Sequence, residues 1–106
     1  MAFLRPLSSA ALERSPLALR LREMRLIKEL SQRELGIRIG IDPSVSSARI
    51  NQYERGKNEP GFAVVKLMAE VLGVPAAYFY AEDDELAELI RRYGLQRTKA
   101  DSDSLG

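Results

Sequence analysis

The stretch 32–56, QRELGIRIGIDPSVSSARINQYERG, constrains the fold of this chain more than any other part of it. Ser31 and Glu34 have the spacing of a capping box, in which the serine hydroxyl and the glutamate carboxylate each bind a backbone amide at a helix start. Gly40 and Gly56 each follow a run that suits a helix, and glycine is a typical helix stop. The stretch therefore predicts two short helices joined by a turn, the second with a polar outer face.

The second of these helices has two candidate start positions. A helix that begins at Pro43 would place Val45 about 140° around the helix axis from Ile50, on the polar side. A helix that begins at Ser46 instead lets Val45 pack against Ile50 as a hydrophobic staple. We prefer the second alternative, which leaves 41–44 as an unusually long turn.

Gly36 lies inside the first of the two helices. Glycine there costs up to about 1 kcal/mol of helix propensity relative to alanine. We therefore expect another helix to cross close to this position, because close backbone approach is what a glycine permits.

Start signals, stop signals and apolar periodicity predict four further helices. The first starts at Ser15-Pro16 and ends near Glu29, the fourth spans 62–72, a short fifth spans 75–80, and a sixth spans 82–93 before a stop at Gly94. We interpret 1–14 as a loose arm, 15–81 as the folded domain and 95–106 as a polar tail. The predicted inner faces outside the central stretch comprise Leu17, Leu21, Met24, Ile27, Phe62, Val65, Met68, Ala69, Leu72 and Phe79.

Two groups of residues in these helices leave alternatives open. The arginines of the first helix suit a solvated surface, with a phosphate-facing role as the alternative. The apolar stripe of the sixth helix must be covered, either by the core of the same chain or by a second copy. These groups are Arg20, Arg22 and Arg25 in the first helix and Leu86, Leu89, Ile90 and Tyr93 in the sixth.

Composition argues against most classes of enzyme. The chain of 106 residues contains no cysteine and no histidine, so it lacks thiol nucleophiles, thiolate zinc ligands and the usual general base near neutral pH. The acidic run 82–85 suits the positive end of a helix dipole better than a metal site. We expect no enzymatic activity, no cofactor and no metal. No apolar run approaches the roughly 18 residues of a membrane helix, so we also expect a cytoplasmic protein.

Charge is unevenly distributed along the chain. Residues 1–81 contain 12 Lys or Arg against 8 Asp or Glu, whereas residues 82–106 contain 4 against 7. The basic excess is compatible with a nucleic-acid surface on the first part.

The region 17–80 resembles the helix-turn-helix regulators of the phage repressor and Cro type, also called the xenobiotic-response-element family. The motifs that carry the resemblance are Leu21-Arg22-Glu23, Ser31-Gln32-x-Glu34-Leu35, Ile50-x-x-Tyr53-Glu54-Arg55-Gly56-Lys57, Pro60 and Ala69-Glu-Val-Leu-Gly-Val74. The resemblance implies an all-α, lambda-repressor-like bundle of five helices, here with a sixth C-terminal helix. It also implies binding to double-stranded DNA, generally as a homodimer, with the third helix in the major groove. The family turn is short, so 41–44 would be an insertion.

The resemblance assigns roles position by position. The base-reading positions match Ser47, Ala48, Arg49 and Gln52, with Asn51 at the margin, and the phosphate-contacting positions match Gln32, Ser46, Lys57 and Asn58. Arginine pairs well with guanine and glutamine with adenine, which agrees with these roles. We therefore predict a dimeric transcriptional repressor without an identifiable effector site. The alternative function is a protein-interaction module, an antitoxin or an adaptor, that works through the C-terminal helix.

Overall fold

The computed structural model describes residues 15–105, with side chains described up to residue 97. Over this range the chain forms five α-helices and one 3₁₀ helix, and no strand. The predicted all-α fold is confirmed, whereas the predicted arm 1–14 lies outside the described residues. The helices are α1 (Leu17–Ile27), α2 (Gln32–Arg38), α3 (Pro43–Glu54), α4 (Phe62–Leu72), the 3₁₀ helix (Ala76–Tyr80) and α5 (Asp84–Leu105).

Helix starts and stops within the domain follow the local signals in most places. The capping box at the start of α2 is present in full, with the Glu34 amide donating to Ser31 Oγ at 2.9 Å and the Ser31 amide donating to Glu34 Oε1 at 3.3 Å. Gly73 ends α4 in the left-handed conformation, with φ of 72°. Pro75 precedes the short predicted fifth helix, which is a 3₁₀ helix rather than an α-helix.

One core holds α1 to α4, the 3₁₀ helix and the first turns of α5 together. The predicted inner residues of α1 and α4 are buried with two exceptions, Ile27 and Phe62, which are more than half exposed. Both stand at a helix end, where the neighbouring helices no longer cover the surface. The fully buried large side chains are Phe79, Leu17, Leu21, Met24, Leu35, Ile50, Met68 and Leu72.

Arg20 joins α1 to the start of α5. Its guanidinium donates to the Ala81 carbonyl at 3.0 Å, to the Glu82 carbonyl at 3.2 Å and to Asp84 Oδ1 at 2.8 Å. The residue is buried, so its interpretation as solvated surface is wrong. These three acceptors lie more than 60 residues away in sequence, and helical periodicity carries no information about such distant partners.

The last helix, α5, continues past the predicted stop at Gly94. A Cβ added to Gly94 would come within 2.6 Å of Pro75 Cδ, so the glycine permits close packing of α5 against the residue that precedes the 3₁₀ helix. Asp83 caps the start of the helix by accepting the Glu85 amide at 2.7 Å. None of the helices in the described range is long and apolar enough to cross a membrane.

The apolar stripe of α5 is partly packed against the core of its own chain and partly exposed to solvent. Ala87 is buried and Ile90 packs partly against the core of the same chain. Leu86, Leu89 and Tyr93 are 49%, 59% and 60% exposed, so the core of the chain does not cover them.

Candidate nucleic-acid interface

Asp42, rather than Ser46, caps the start of α3. Asp42 Oδ1 accepts the Ser44 amide at 2.8 Å and the Ser44 hydroxyl at 2.6 Å, and Pro43 occupies the first helical position, for which its fixed φ suits it. These two hydrogen bonds hold the pKa of the Asp42 carboxyl below its ordinary value. The predicted start at Ser46 and the predicted staple of Val45 are therefore wrong. Val45 lies in the first turn of α3 and is 44% exposed.

The close helix crossing expected at Gly36 is present, and Ser46 forms its other side. A Cβ added to Gly36 would lie 1.8 Å from Ser46 Oγ, a separation that no real contact allows. Ser46 is fully buried and donates its hydroxyl hydrogen to the Arg33 carbonyl at 2.8 Å, which locks α3 onto α2. The structure thus contradicts the prediction that Ser46 contacts phosphate, because the side chain presents no surface.

A polar network under α3 fixes its orientation relative to α1 and α2. Arg25 and Glu54 form a two-point ion pair, with Nη2 to Oε1 at 2.9 Å, and their side chains are only 10% and 4% exposed. Arg25 also donates to the Leu30 carbonyl at 2.9 Å. The glutamate hydrogen bond is the main cause that raises the pKa of Arg25 above its ordinary value. Like Arg20, Arg25 is a buried structural residue, so its interpretation as solvated surface is wrong.

Gln32 extends this network to the outer edge of α3. Its Nε2 donates to Glu54 Oε1 and to Asn51 Oδ1, each at 3.2 Å, and its Oε1 accepts the Ser47 hydroxyl at 3.4 Å. The first residue of α2 thus braces α3 at two side chains of the predicted base-reading set. Gln32 itself is half-buried, with part of its surface still accessible.

The outward face of α3 carries the side chains that could enter a groove. Ile50 and Tyr53 anchor the opposite face in the core. Asn51 is half-buried at the margin. The exposed residues are Pro43, Ser44, Val45, Ser47, Ala48, Arg49 and Gln52.

The loop after α3 lies beside this face. Asn58 Nδ2 donates to Gln52 Oε1 at 2.8 Å, which ties a predicted base-reading side chain to a predicted phosphate-contacting one. Lys57 and Asn58 are both exposed. A cleft of about 530 Å³ separates this loop from the start of α1, and its lining includes the cations Arg22, Arg55 and Lys57.

Comparison with known proteins identifies the family. The sequence profile of the Cro/C1-type helix-turn-helix proteins matches residues 21–79, which is more than half of the chain. The chain belongs to this helix-turn-helix family. The crystal structure of the transcriptional regulator BswR is similar to it, with 37% sequence identity and a TM-score of 0.70 over 83% of this chain and 90% of that chain. No curated protein matches the chain.

The structure contradicts the long turn that the sequence predicts between α2 and α3. Because α2 ends at Arg38 and α3 begins at Pro43, only 39–42 connect them. A turn of this length is normal for a helix-turn-helix protein. The unusually long turn predicted at 41–44 is therefore wrong, because Pro43 and Ser44 lie in the first turn of α3.

Sequence reasoning missed Val45 as a residue of the outward face. The signal that could have found it was the pair Asp42-Pro43, since aspartate at the cap and proline at the first position are a strong helix start. This signal conflicts with the preference of a valine for the buried side of a helix, and the structure follows the capping pair. Of the residues predicted to contact DNA, all except Ser46 lie on α3, at the start of α2 or in the loop after α3 with accessible surface.

Proposed function

We propose that this helix-turn-helix protein is a sequence-specific, dimeric transcriptional repressor that binds double-stranded DNA with α3 in the major groove. The observation that carries the proposal is the polar outward face of α3, with Arg49 and Gln52, above an opposite face that buried contacts hold in place. A rigidly mounted helix can present side chains to base edges in one register, which sequence specificity requires.

Base recognition follows from the chemistry of the outward face. Arg49 can donate two hydrogen bonds to O6 and N7 of guanine, and Gln52 can pair with N6 and N7 of adenine. Ala48, one turn before Gln52 on the same side of the helix, offers a methyl group. Ser47 and Asn51 stand at the margin, where their hydrogen bonds with Gln32 orient them.

Phosphate contacts position the protein without reading sequence. Lys57 and Asn58, in the loop after α3, and the accessible part of Gln32, at the start of α2, flank the reading face on its two sides. Arg22 lines the same cleft as Lys57 and extends this set to α1. Such contacts give affinity that falls steeply with salt concentration.

A second copy is the proposed occupant of the exposed stripe Leu86, Leu89 and Tyr93 on α5. Charge separation along α5 favours antiparallel pairing: five carboxylates lie within 82–88, and three arginines lie within 91–97. If Leu89 of one helix stands opposite Tyr93 of the other, Glu85 stands opposite Arg97. Parallel pairing would instead set acid against acid and base against base.

Selection of bound sequences from a random duplex pool tests the proposal. We expect a near-palindromic site whose half-sites are about 34 to 36 Å apart, one helical turn, because each subunit inserts one α3. Arg49→Ala and Gln52→Ala should each weaken binding to the selected site by about 1 to 3 kcal/mol and relax specificity at one position. Unchanged affinity in both variants would refute the assignment of α3. Repression is then tested with a reporter promoter that overlaps the selected site.

The exposed stripe of α5 also suits a different function, binding of another protein by an adaptor or antitoxin. The two functions can be distinguished by DNA binding, which a regulator requires and an adaptor does not. Lys57→Ala should reduce salt-sensitive retention on random duplex DNA if the protein is a DNA-binding regulator, because the lysine neutralises a phosphate. An adaptor need not be retained at all.

A further inference from the structure

Val45 interrupts the polar face of α3 with an apolar side chain. It lies in the first turn, three positions before Ala48 and seven before Gln52, so the three share one side of the helix. Val45 is 44% exposed in the free protein. A single exposed valine is common on protein surfaces, so its exposure alone carries no argument. The argument rests instead on its position in the first turn of the proposed recognition helix.

The geometry around Val45 makes it a well-defined contact group. The branched side chain strongly prefers one χ1 rotamer in a helix, so its two methyl groups are held in place before any contact forms. Its neighbour Ser44 donates its hydroxyl hydrogen to Asp42 within the cap. Because the Ser44 hydroxyl is already hydrogen-bonded to Asp42, the exposed group that Val45 adds beside it is purely apolar.

We infer that Val45 contacts the C5-methyl group of a thymine in each half-site and so makes the protein prefer T at that position. Thymine is the base that displays a methyl group in the major groove, and the N-terminal residues of a recognition helix are those that reach base edges. The inference rests on the proposed function, to which it adds the identity of one base. Val45 and Gln52 are about 10.5 Å apart along the helix axis, so they contact different base pairs.

Replacement of single thymines by deoxyuridine tests this contact, because it removes the methyl group and leaves every hydrogen-bonding group unchanged. We expect one thymine per half-site of the selected sequence to be sensitive. The loss should be about fourfold in affinity, the equivalent of roughly 0.8 kcal/mol for one buried methyl-sized group.

The variant Val45→Ala changes both subunits, so on thymine DNA it should show the loss that the wild type shows when the sensitive thymine is replaced in both half-sites, about sixteenfold. It should show no further loss on that doubly substituted DNA. Alanine raises helix propensity, so this variant should fold. Leu67→Ala is the matched control, since Leu67 is an equally exposed apolar residue on α4. It should retain the difference between thymine and deoxyuridine.

Three outcomes would overturn the inference. The first is a wild-type protein that tolerates deoxyuridine at every thymine while Arg49→Ala still weakens binding, which would leave the proposed function intact. The second is a Val45→Ala variant that retains the deoxyuridine sensitivity. The third is the absence of any bound duplex, which would refute the proposed function and this inference together.

Discussion

The helices α3 and α5 both present a face to solvent, and the two faces differ in what lies beneath them. Under α3 the helix crossing at Gly36 and the buried Arg25–Glu54 pair fix its position against two other helices. By contrast, α5 is attached to the domain along its first turns, through Arg20, Ala87 and Ile90, and leaves large apolar groups exposed.

This difference matches two separate tasks of the proposed dimer, which are reading DNA bases and joining the two subunits. A helix that reads bases needs a fixed orientation within its own subunit, because a small rotation moves every side chain to a different base. A helix that joins subunits needs an apolar face that its own chain leaves open. The buried polar network therefore belongs under α3, and the exposed apolar stripe belongs on α5.

The largest expected effect comes from removal of Glu54. Glu54→Ala should destabilise the fold by about 3 to 5 kcal/mol, because it leaves the buried Arg25 without its ion-pair partner. Urea denaturation measures the change in the free energy of unfolding. Glu88→Ala is the control, since Glu88 also pairs with arginines but on the surface of α5, where ion pairs contribute about 0 to 1 kcal/mol. Equal losses in the free energy of unfolding for the two variants would contradict the claim that buried polar contacts hold α3 more firmly than surface ion pairs hold α5.

The sequence signals that correctly predict helix starts and stops are those whose hydrogen bonds and backbone conformation involve only residues close in sequence. The capping box of Ser31 and Glu34 and the left-handed stop at Gly73 are satisfied within one or two turns of helix. Gly94 shows the limit of such signals. A glycine permits a helix to end and also permits another element to come close, and only the tertiary position of Pro75 decides between them.

The start of α3 escaped prediction for a related reason. Asp42 and Ser46 are both good cap residues, and the choice between them turned on the cost of exposing Val45. That cost is small for a single side chain, whereas burying the Ser46 hydroxyl against Arg33 and Gly36 needs partners from α2. Sequence periodicity does not show which buried polar side chain will find a hydrogen-bond partner on a neighbouring helix, as Ser46 finds the Arg33 carbonyl. The burial of Arg20 and Arg25 in α1 depends in the same way on acceptors that other elements supply.

The next largest effect is expected on α5. Leu89→Lys should weaken self-association at least tenfold, about 1.4 kcal/mol, because it places charge in the proposed apolar interface. The free energy of unfolding of the monomer should change by no more than about 0.5 kcal/mol, since Leu89 is exposed. Sedimentation equilibrium measures the first quantity and urea denaturation of the dilute protein the second. A wild-type protein that stays monomeric at high concentration would refute the proposed interface.

The cysteine-free chain allows the orientation of the two α5 helices to be tested separately. Glu85→Cys and Arg97→Cys chains, mixed and oxidised, should form a mixed disulfide between subunits. Each variant alone should form little. Efficient crosslinking of the Glu85→Cys variant with itself would instead establish parallel pairing.

The smallest expected effect is a dependence of stability on pH at the start of α3. The folded pKa of Asp42 lies below its ordinary value of 3.8, so the unfolded chain binds its proton first as pH falls. The stabilisation by this carboxylate is complete above that ordinary value and is lost as pH falls through the lower folded pKa. Thermal unfolding between pH 5 and pH 2, a range of about three units around this titration, should show a smaller acid-induced drop in Tm for Asp42→Asn than for the wild type. The asparagine retains a cap oxygen without a titrating group. An identical drop in both proteins would mean that Asp42 adds nothing to acid sensitivity and that Pro43 and the contacts of Ser46 are sufficient to start the helix.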